Sequence, residues 1–122
     1  ENWTKQRIKN AALYDQYLDD IKSIVRPAVR PGSKHSFHLY VIRAQKRDAL
    51  SSFLKDRGIE TSVHYPTALP NLPAYRYLGT QPSDFPVATR LQDEILSLPM
   101  YSELTEEQIG YVAGSIKEFY AQ

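Results

Sequence analysis

The stretch SFHLYVIRAQKRDALSSFLKDRGIETSVHY, residues 36–65, decides the fold class. Its first eight residues are rich in β-branched and aromatic side chains, and they predict a strand over residues 36–43. Apolar side chains fall on both faces of this strand, which is typical of a strand covered on two sides. The stretch therefore opens with a strand that needs packing partners above and below.

The remainder of this stretch predicts a helix followed by a second strand. The helix runs over residues 46–57, and Gly58 supplies the left-handed residue that ends it. A strand over residues 59–65 follows, and Pro66 closes it. The pattern strand, helix, strand indicates a sheet with at least one helix packed on it.

Upstream, apolar residues recur at helical spacing and predict a helix over residues 3–25. Pro27 ends it, because a proline disfavours helical geometry in the residue before it. Residues 26–34 hold two prolines and a glycine and predict a connecting loop.

Downstream, residues 66–82 are too rich in proline to predict regular structure. A helix begins near Pro86, since proline suits the first helical turn. The run LSLPM, residues 96–100, predicts a short strand at an edge of the sheet. The last helix has the clearest local signal, because residues 105–108, TEEQ, form a capping box at its start.

A small sheet packed by helices satisfies every apolar stripe in this order of elements. We expect an α/β or α+β fold in which about four helices pack on a three-stranded sheet, mostly antiparallel or mixed. The sequence leaves the direction of the strands open. A length of 122 residues suits one domain with one modest core.

The composition excludes several classes of function. Fifteen basic and 14 acidic side chains nearly balance, so nothing indicates a nucleic-acid binder. The absence of cysteine removes disulfides, thiolate metal sites and cysteine nucleophiles, and it fits a reducing compartment. No apolar run approaches the roughly 20 residues that span a bilayer. We expect a cytoplasmic protein with no membrane partner.

The predicted strand over residues 59–65 ends in a candidate site. It finishes at His64 and Tyr65, with a proline-rich loop beyond, and α/β folds tend to place ligands at such strand ends. His64 is able to donate or accept a proton, or contact an anion, near neutral pH. The alternative interpretation is that His64 is a strand-end histidine with satisfied hydrogen bonds and that Tyr65 belongs to the core.

Other chemistries find no support in the sequence. His35 and His38 lie three apart on a strand and point to opposite faces, so we expect no zinc site with His64. There is no glycine-rich dinucleotide motif, no phosphate loop and no nucleophile elbow. Taken alone, the residues indicate an α/β domain with a candidate site around His64.

Several blocks together resemble the C-terminal part of the DegT/StrS family of pyridoxal-phosphate-dependent aminotransferases. They are RIKNAALYDQYL (7–18), HSFHLYVIR (35–43), GIETSVHYPTALPNLPAYRYLG (58–79) and DFPVATRLQDEILSLPMYSELTEEQIGYV (84–112). The blocks follow one another in the family's order and spacing and cover essentially the whole chain. Family members act on keto sugars, usually as nucleotide sugars.

The resemblance implies the aspartate-aminotransferase type of fold, fold type I. A large domain holds pyridoxal phosphate (PLP) on a lysine, a small C-terminal domain closes over it, and homodimers build the site from both subunits. This chain would be the single small domain, residues 1–122, with a linking helix over 1–25 and a sheet-and-helix body over 35–122. The large PLP-binding domain is absent from it. No lysine stands in the serine-plus-lysine context of the family's aldimine site, so we expect the isolated chain to bind no PLP and to be inactive.

The resemblance also implies which residues meet the substrate. His64-Tyr65-Pro66 matches the family's HYP motif, which ends the strand facing the active site. We expect His64 to contact a sugar or phosphate, and Tyr65, Asn71 and His38 are further substrate-binding candidates. No catalytic, cofactor-binding or metal-binding residue is expected in this chain. Many members carry a second histidine where this sequence has Pro70, so no contact is assigned there.

The activity implied is transfer of an amino group from glutamate, through PLP, to a nucleotide-linked keto sugar. One alternative is a relative that dehydrates its sugar substrate, with a histidine in place of the lysine. Another is a stand-alone binding or dimerisation module. An exposed apolar patch beside His64 would favour a domain that meets a large domain, whereas a fully polar surface would favour the module.

Overall fold

The computed structural model describes residues 1–121. Within these residues, four α-helices and three strands follow one another along the chain. Their bounds are α1 Asn2–Tyr17, β1 Ile24–Val25, β2 Tyr40–Ala44, α2 Arg47–Asp56, α3 Pro86–Glu94, β3 Ile95–Leu98 and α4 Glu106–Ala121. Three short 3₁₀ segments lie between α2 and α3, where the sequence predicted no regular structure: Leu69–Asn71, Pro73–Leu78 and Pro82–Asp84. A proline stands in the first turn of each, where a missing N–H costs nothing.

The strands form one antiparallel sheet in the order β1-β2-β3, with β2 at its centre. Ile24 pairs with Ala44. On the other side of β2, the rungs run from Tyr40–Leu98 to Arg43–Ile95. The three-stranded sheet and the α+β class are therefore confirmed, and the strand direction is antiparallel throughout.

The prediction of a strand over residues 59–65 is wrong. Only Ser62 pairs with the sheet, through an isolated bridge to Ser97 on the outer side of β3, with N–O distances of 3.2 and 2.7 Å. Ile59 is buried in the core instead. Pro66 has no N–H with which to extend the ladder. The third strand comes from Ile24–Val25, which the sequence assigned to a helix.

The helix predicted over residues 3–25 ends at Tyr17, so the proposed linking helix is shorter than expected. The Arg26 guanidinium donates a hydrogen bond to the main-chain carbonyl of Asp15. This bond satisfies one of the acceptors that a last helical turn leaves free. The chain then doubles back, and Ile24 enters the core from a strand. Helical spacing of the apolar residues did not reveal this reversal.

The strand predicted over residues 36–43 begins later, at Tyr40. Phe37 has φ 47°, in the left-handed region that a bulky residue rarely adopts, and it interrupts the extended chain. Its N–H donates to His35 Nδ1 at 2.8 Å, and its ring packs on Tyr40 with centroids 6.2 Å apart. Phe37 is buried by this turn.

The two faces of β2 are not equally covered, in contrast to the prediction. Tyr40, Ile42 and Ala44 are buried against the helices, whereas Val41 and Arg43 on the other face are half-exposed. The sheet therefore has one core face and a second face that only partly packs.

The predictions for the C-terminal third hold with small shifts. α3 begins at Pro86, and β3 covers Ile95–Leu98 where a strand was predicted over residues 96–100. The capping box is confirmed, since Thr105 Oγ1 accepts from the Gln108 N–H at 3.2 Å and Gln108 Oε1 accepts from the Thr105 N–H at 2.9 Å.

The core centres on two stacked tyrosines that join α1 to β2. The rings of Tyr14 and Tyr40 are both fully buried, with centroids 4.8 Å apart. Tyr14 Oη donates to the Pro99 carbonyl at 2.9 Å, and Tyr40 Oη donates to Asp15 Oδ1 at 2.6 Å. α1 and α2 both pack on α4, and α2 contacts β2 and β3.

Among residues 1–121, no helix combines the length and apolar character that a membrane span requires.

We expect the free energy of unfolding to fall as the pH rises above about 10. Burial raises the pKa of Tyr14 and of Tyr40, and it raises the pKa of Tyr120 to about 12. These hydroxyls lose their protons near pH 10 in the unfolded chain and keep them in the folded one. Deprotonation of each of these tyrosines in the unfolded chain therefore lowers the free energy of unfolding. The loss is up to about 1.4 kcal/mol per pH unit between the pKa of the unfolded chain and that of the folded chain.

Tyr14→Phe removes one of these titrating groups, so its pH dependence in urea denaturation should be shallower. Tyr77→Phe is the matched control, because Tyr77 is 79% exposed. An unchanged slope for Tyr14→Phe would contradict the assignment.

Thr105→Ala should lower the free energy of unfolding by about 1 kcal/mol, because it removes the side-chain cap of α4. Thr67→Ala, in an exposed loop position, should leave it within about 0.5 kcal/mol. Thermal or urea unfolding of the two variants at neutral pH measures the difference. Equal stabilities would show that the cap contributes nothing.

Candidate functional site

His64 stands where the chain leaves the sheet after the Ser62–Ser97 bridge. Its Nδ1 lies 2.9 Å from Ser97 Oγ, so the hydroxyl holds one edge of the imidazole. The residue remains exposed although its partner is buried. Within residues 1–121, no hydrogen bond engages Nε2. The structure thus fixes the ring at one nitrogen and leaves the other for a ligand.

Tyr65 continues from His64 through a cis peptide bond and is 74% exposed. Its ring meets the His64 ring edge-on, with centroids 5.7 Å apart and planes at 82°. The interpretation of Tyr65 as a core residue is therefore wrong. The two side chains form one exposed aromatic pair at the surface, suited to stacking and hydrogen bonding.

Asn71 is half-buried and fastens the loop to α3. Its Nδ2 donates to Thr89 Oγ1 at 3.0 Å and to Gln92 Oε1 at 3.2 Å. The same Gln92 oxygen accepts from the Ala68 N–H at 2.8 Å. The amide donors of Asn71 are thus used inside the chain, and a substrate contact through this residue stays a prediction.

His38 is exposed just before β2. No hydrogen bond or ring contact within residues 1–121 joins it to His64, Tyr65 or Asn71. His35 Nδ1 is taken by the Phe37 N–H. In the described part of the chain, no group of three or more His, Cys, Asp or Glu side chains is arranged to hold a metal ion.

The loop beyond Tyr65 exposes apolar side chains that the sequence did not single out. Leu69, Leu78 and Phe85 are exposed and line one apolar cavity of about 240 Å³, together with Pro70, Tyr75 and Thr80. Tyr65, Tyr77 and Val87 are exposed along the same stretch. We call residues 65–87 the loop surface. The signal available in the sequence was the mixture of aromatic, leucine and proline residues without a helical or strand period.

A larger groove lies elsewhere and contains none of the predicted site residues. Its volume is about 570 Å³, and it runs between Gly58–Glu60, the segment after β3 and the start of α4. Tyr101 and Tyr111 are exposed along it. Its chemistry is less specific than that at His64, which combines a titratable side chain with a buried anchor.

The lysines of the chain share one surface setting. A Schiff-base lysine is activated by a desolvated pocket or by a neighbouring cation, whereas all seven lysines of the chain are exposed: Lys5, Lys9, Lys22, Lys34, Lys46, Lys55 and Lys117. These seven side chains therefore lack the desolvated surroundings of an activated Schiff-base lysine.

Known proteins resemble the chain over nearly its whole length. The chain is 45% identical over 122 residues to the pleiotropic regulatory protein of Geobacillus stearothermophilus, covering 98% of this chain and 33% of that protein. It is 31% identical over 119 residues to a dTDP-3-amino-3,4,6-trideoxy-alpha-D-glucose transaminase of Streptomyces venezuelae, covering 98% and 31%. The chain thus spans about a third of the length of these relatives.

A solved structure matches the fold over nearly the whole chain. The crystal structure of S. venezuelae DesV in complex with a ketimine intermediate superposes with a TM-score of 0.94 at 31% identity, covering 98% of this chain and 32% of that one. The sequence profile of the DegT/DnrJ/EryC1/StrS aminotransferases matches residues 1–117. The chain therefore belongs to the DegT/DnrJ/EryC1/StrS aminotransferase family.

Proposed function

We propose that this chain is the C-terminal small domain of a PLP-dependent aminotransferase that transfers an amino group from glutamate to a nucleotide-linked keto sugar. The observation that carries the proposal is the exposed His64, anchored on a buried serine at the edge of an apolar surface, in a chain of this family. Relatives of the chain include transaminases of dTDP-linked amino sugars.

In this proposal His64 contacts the substrate. Its free Nε2 would donate to or accept from a sugar hydroxyl, or bind a phosphate oxygen when the ring is protonated. Tyr65, exposed beside it, would stack on the substrate or hydrogen-bond to it. Asn71 and His38 are further candidates, although Asn71 would have to act through its carbonyl oxygen because its amide donors bind Thr89 and Gln92.

The cofactor would be held outside this chain. PLP supplies an electron sink that makes amino transfer possible. The exposed lysines here do not fit its attachment, so we assign the chain no step that involves the cofactor. The chain would contribute substrate contacts and a surface that closes on a larger domain.

The exposed apolar side chains of the loop surface favour the proposal that this chain packs against a larger domain. Exposed apolar patches mark interaction sites, and Leu69, Leu78 and Phe85, which follow His64 in the sequence, are exposed and line one apolar cavity. A stand-alone module would cover these side chains. A sugar dehydratase of this family would carry a histidine in place of the PLP-binding lysine. Because that position lies outside this chain, the dehydratase remains the alternative activity.

Two further parts of the proposal come from the sequence. The family resemblance implies a homodimer whose site is built from both subunits. The cysteine-free composition fits a reducing, cytoplasmic location.

His64→Ala in the full-length protein should lower kcat/KM for the keto sugar by about 10- to 100-fold. It removes a hydrogen bond to a charged or polar group of the substrate, worth roughly 1.5–3 kcal/mol. Steady-state kinetics with varied sugar substrate measure the effect. His35→Ala is the matched control, since His35 is exposed and its Nδ1 is engaged by Phe37. Unchanged kinetics for His64→Ala would return His64 to a structural role.

A further inference from the structure

Ser97 occupies an unusual place for a hydroxyl side chain. It lies in β3 between Val41 on one side and Ser62 on the other, and it is 4% exposed. Its strand neighbours Leu96 and Leu98 are both buried in the core. Buried strand positions favour aliphatic and β-branched residues. A serine there needs a hydrogen-bond partner, because an unpaired buried hydroxyl is unfavourable.

The backbone of Ser97 is fixed independently of its side chain. Its N–H donates to the Ser62 carbonyl at 2.7 Å, and its carbonyl accepts from the Ser62 N–H at 3.2 Å. This bridge places Ser62 beside β3 at the edge of the sheet, and two residues later the His64 ring meets Ser97 Oγ at 2.9 Å. In the described residues no buried side-chain nitrogen or oxygen is left without a partner.

We propose that Ser97 is the residue that positions His64 for substrate binding. Its hydroxyl holds Nδ1 and so turns Nε2 towards the ligand. This role rests on the function proposed for His64, and it deepens that function by naming the group on which the imidazole depends. Ser97 stands within an apolar run of the sequence, so neither its type nor its neighbours indicate a role in substrate binding.

The choice of a hydroxyl has a chemical consequence. A serine both donates and accepts, so it bonds Nδ1 of the neutral ring as a donor and Nδ1–H of the charged ring as an acceptor. A carboxylate in its place would favour the charged ring. In both of these arrangements Nε2 carries a hydrogen, so the outward nitrogen is a hydrogen-bond donor to the ligand.

The kinetic test compares Ser97→Ala with Ser97→Thr in the full-length protein. Ser97→Ala should lower kcat/KM for the keto sugar by up to about tenfold, since it removes one hydrogen bond, and Ser97→Thr, which keeps the hydroxyl and suits a strand, should restore it. Ser115→Ala is the matched control, because Ser115 is 5% exposed and its hydroxyl bonds the Tyr111 carbonyl in α4, away from His64. Unfolding curves of all variants separate loss of stability from loss of activity.

A double substitution tests whether Ser97 acts through His64. In a His64→Ala background, Ser97→Ala should have no further effect on kcat/KM. An undiminished effect there would overturn the proposal, as would unchanged kinetics of Ser97→Ala beside impaired kinetics of His64→Ala.

Nitrogen-15 NMR of the His64 ring in the present chain provides a readout that does not depend on the enzyme reaction. Ser97→Ala should change the ring-nitrogen shifts that report the tautomer, and Ser115→Ala should not. If His64→Ala leaves the kinetics intact, the proposed function of His64 fails. The NMR measurement still shows whether the Ser97 hydroxyl holds the His64 ring. Identical His64 shifts with and without the Ser97 hydroxyl would refute it.

Discussion

The stacked pair Tyr14–Tyr40 is the contact on which the rest of the structure depends. The sheet is small, with one strand of two residues and another of four, and it would have little stability without a helix on its core face. The two rings supply that packing, and their hydroxyls bind the Pro99 carbonyl and the Asp15 carboxylate. A helix distant in sequence is thereby held against the central strand and against the end of β3.

This arrangement determines where the candidate site lies. Pro99 directly follows β3, so the Tyr14 hydrogen bond fixes the end of the strand that carries Ser97. The core face of β3 is filled by Leu96 and Leu98, and Ser97 must then point to the second face. His64 is the side chain that meets it there. The position of the site is therefore a consequence of strand alternation.

Local signals in the sequence predicted what depends on near neighbours. The TEEQ capping box and Pro86 placed the starts of α4 and α3 correctly, because a cap or a first-turn proline acts within a few residues. Residues 59–65 and Ile24 were misassigned, because pairing with Ser97 or Ala44 depends on distant parts of the chain. His64 became a candidate through its residue type and its place two residues before Pro66. Its anchor did not, because 33 residues separate it from Ser97.

Gln92 is the residue that ties the loop after His64 to α3. Its single side-chain oxygen holds both the Ala68 N–H and the Asn71 amide, so the start of the loop is clamped to α3. α3 runs without a break into β3, which carries Ser97. One continuous segment, residues 86–98, therefore holds His64 through Ser97 and holds the loop that follows it through Gln92.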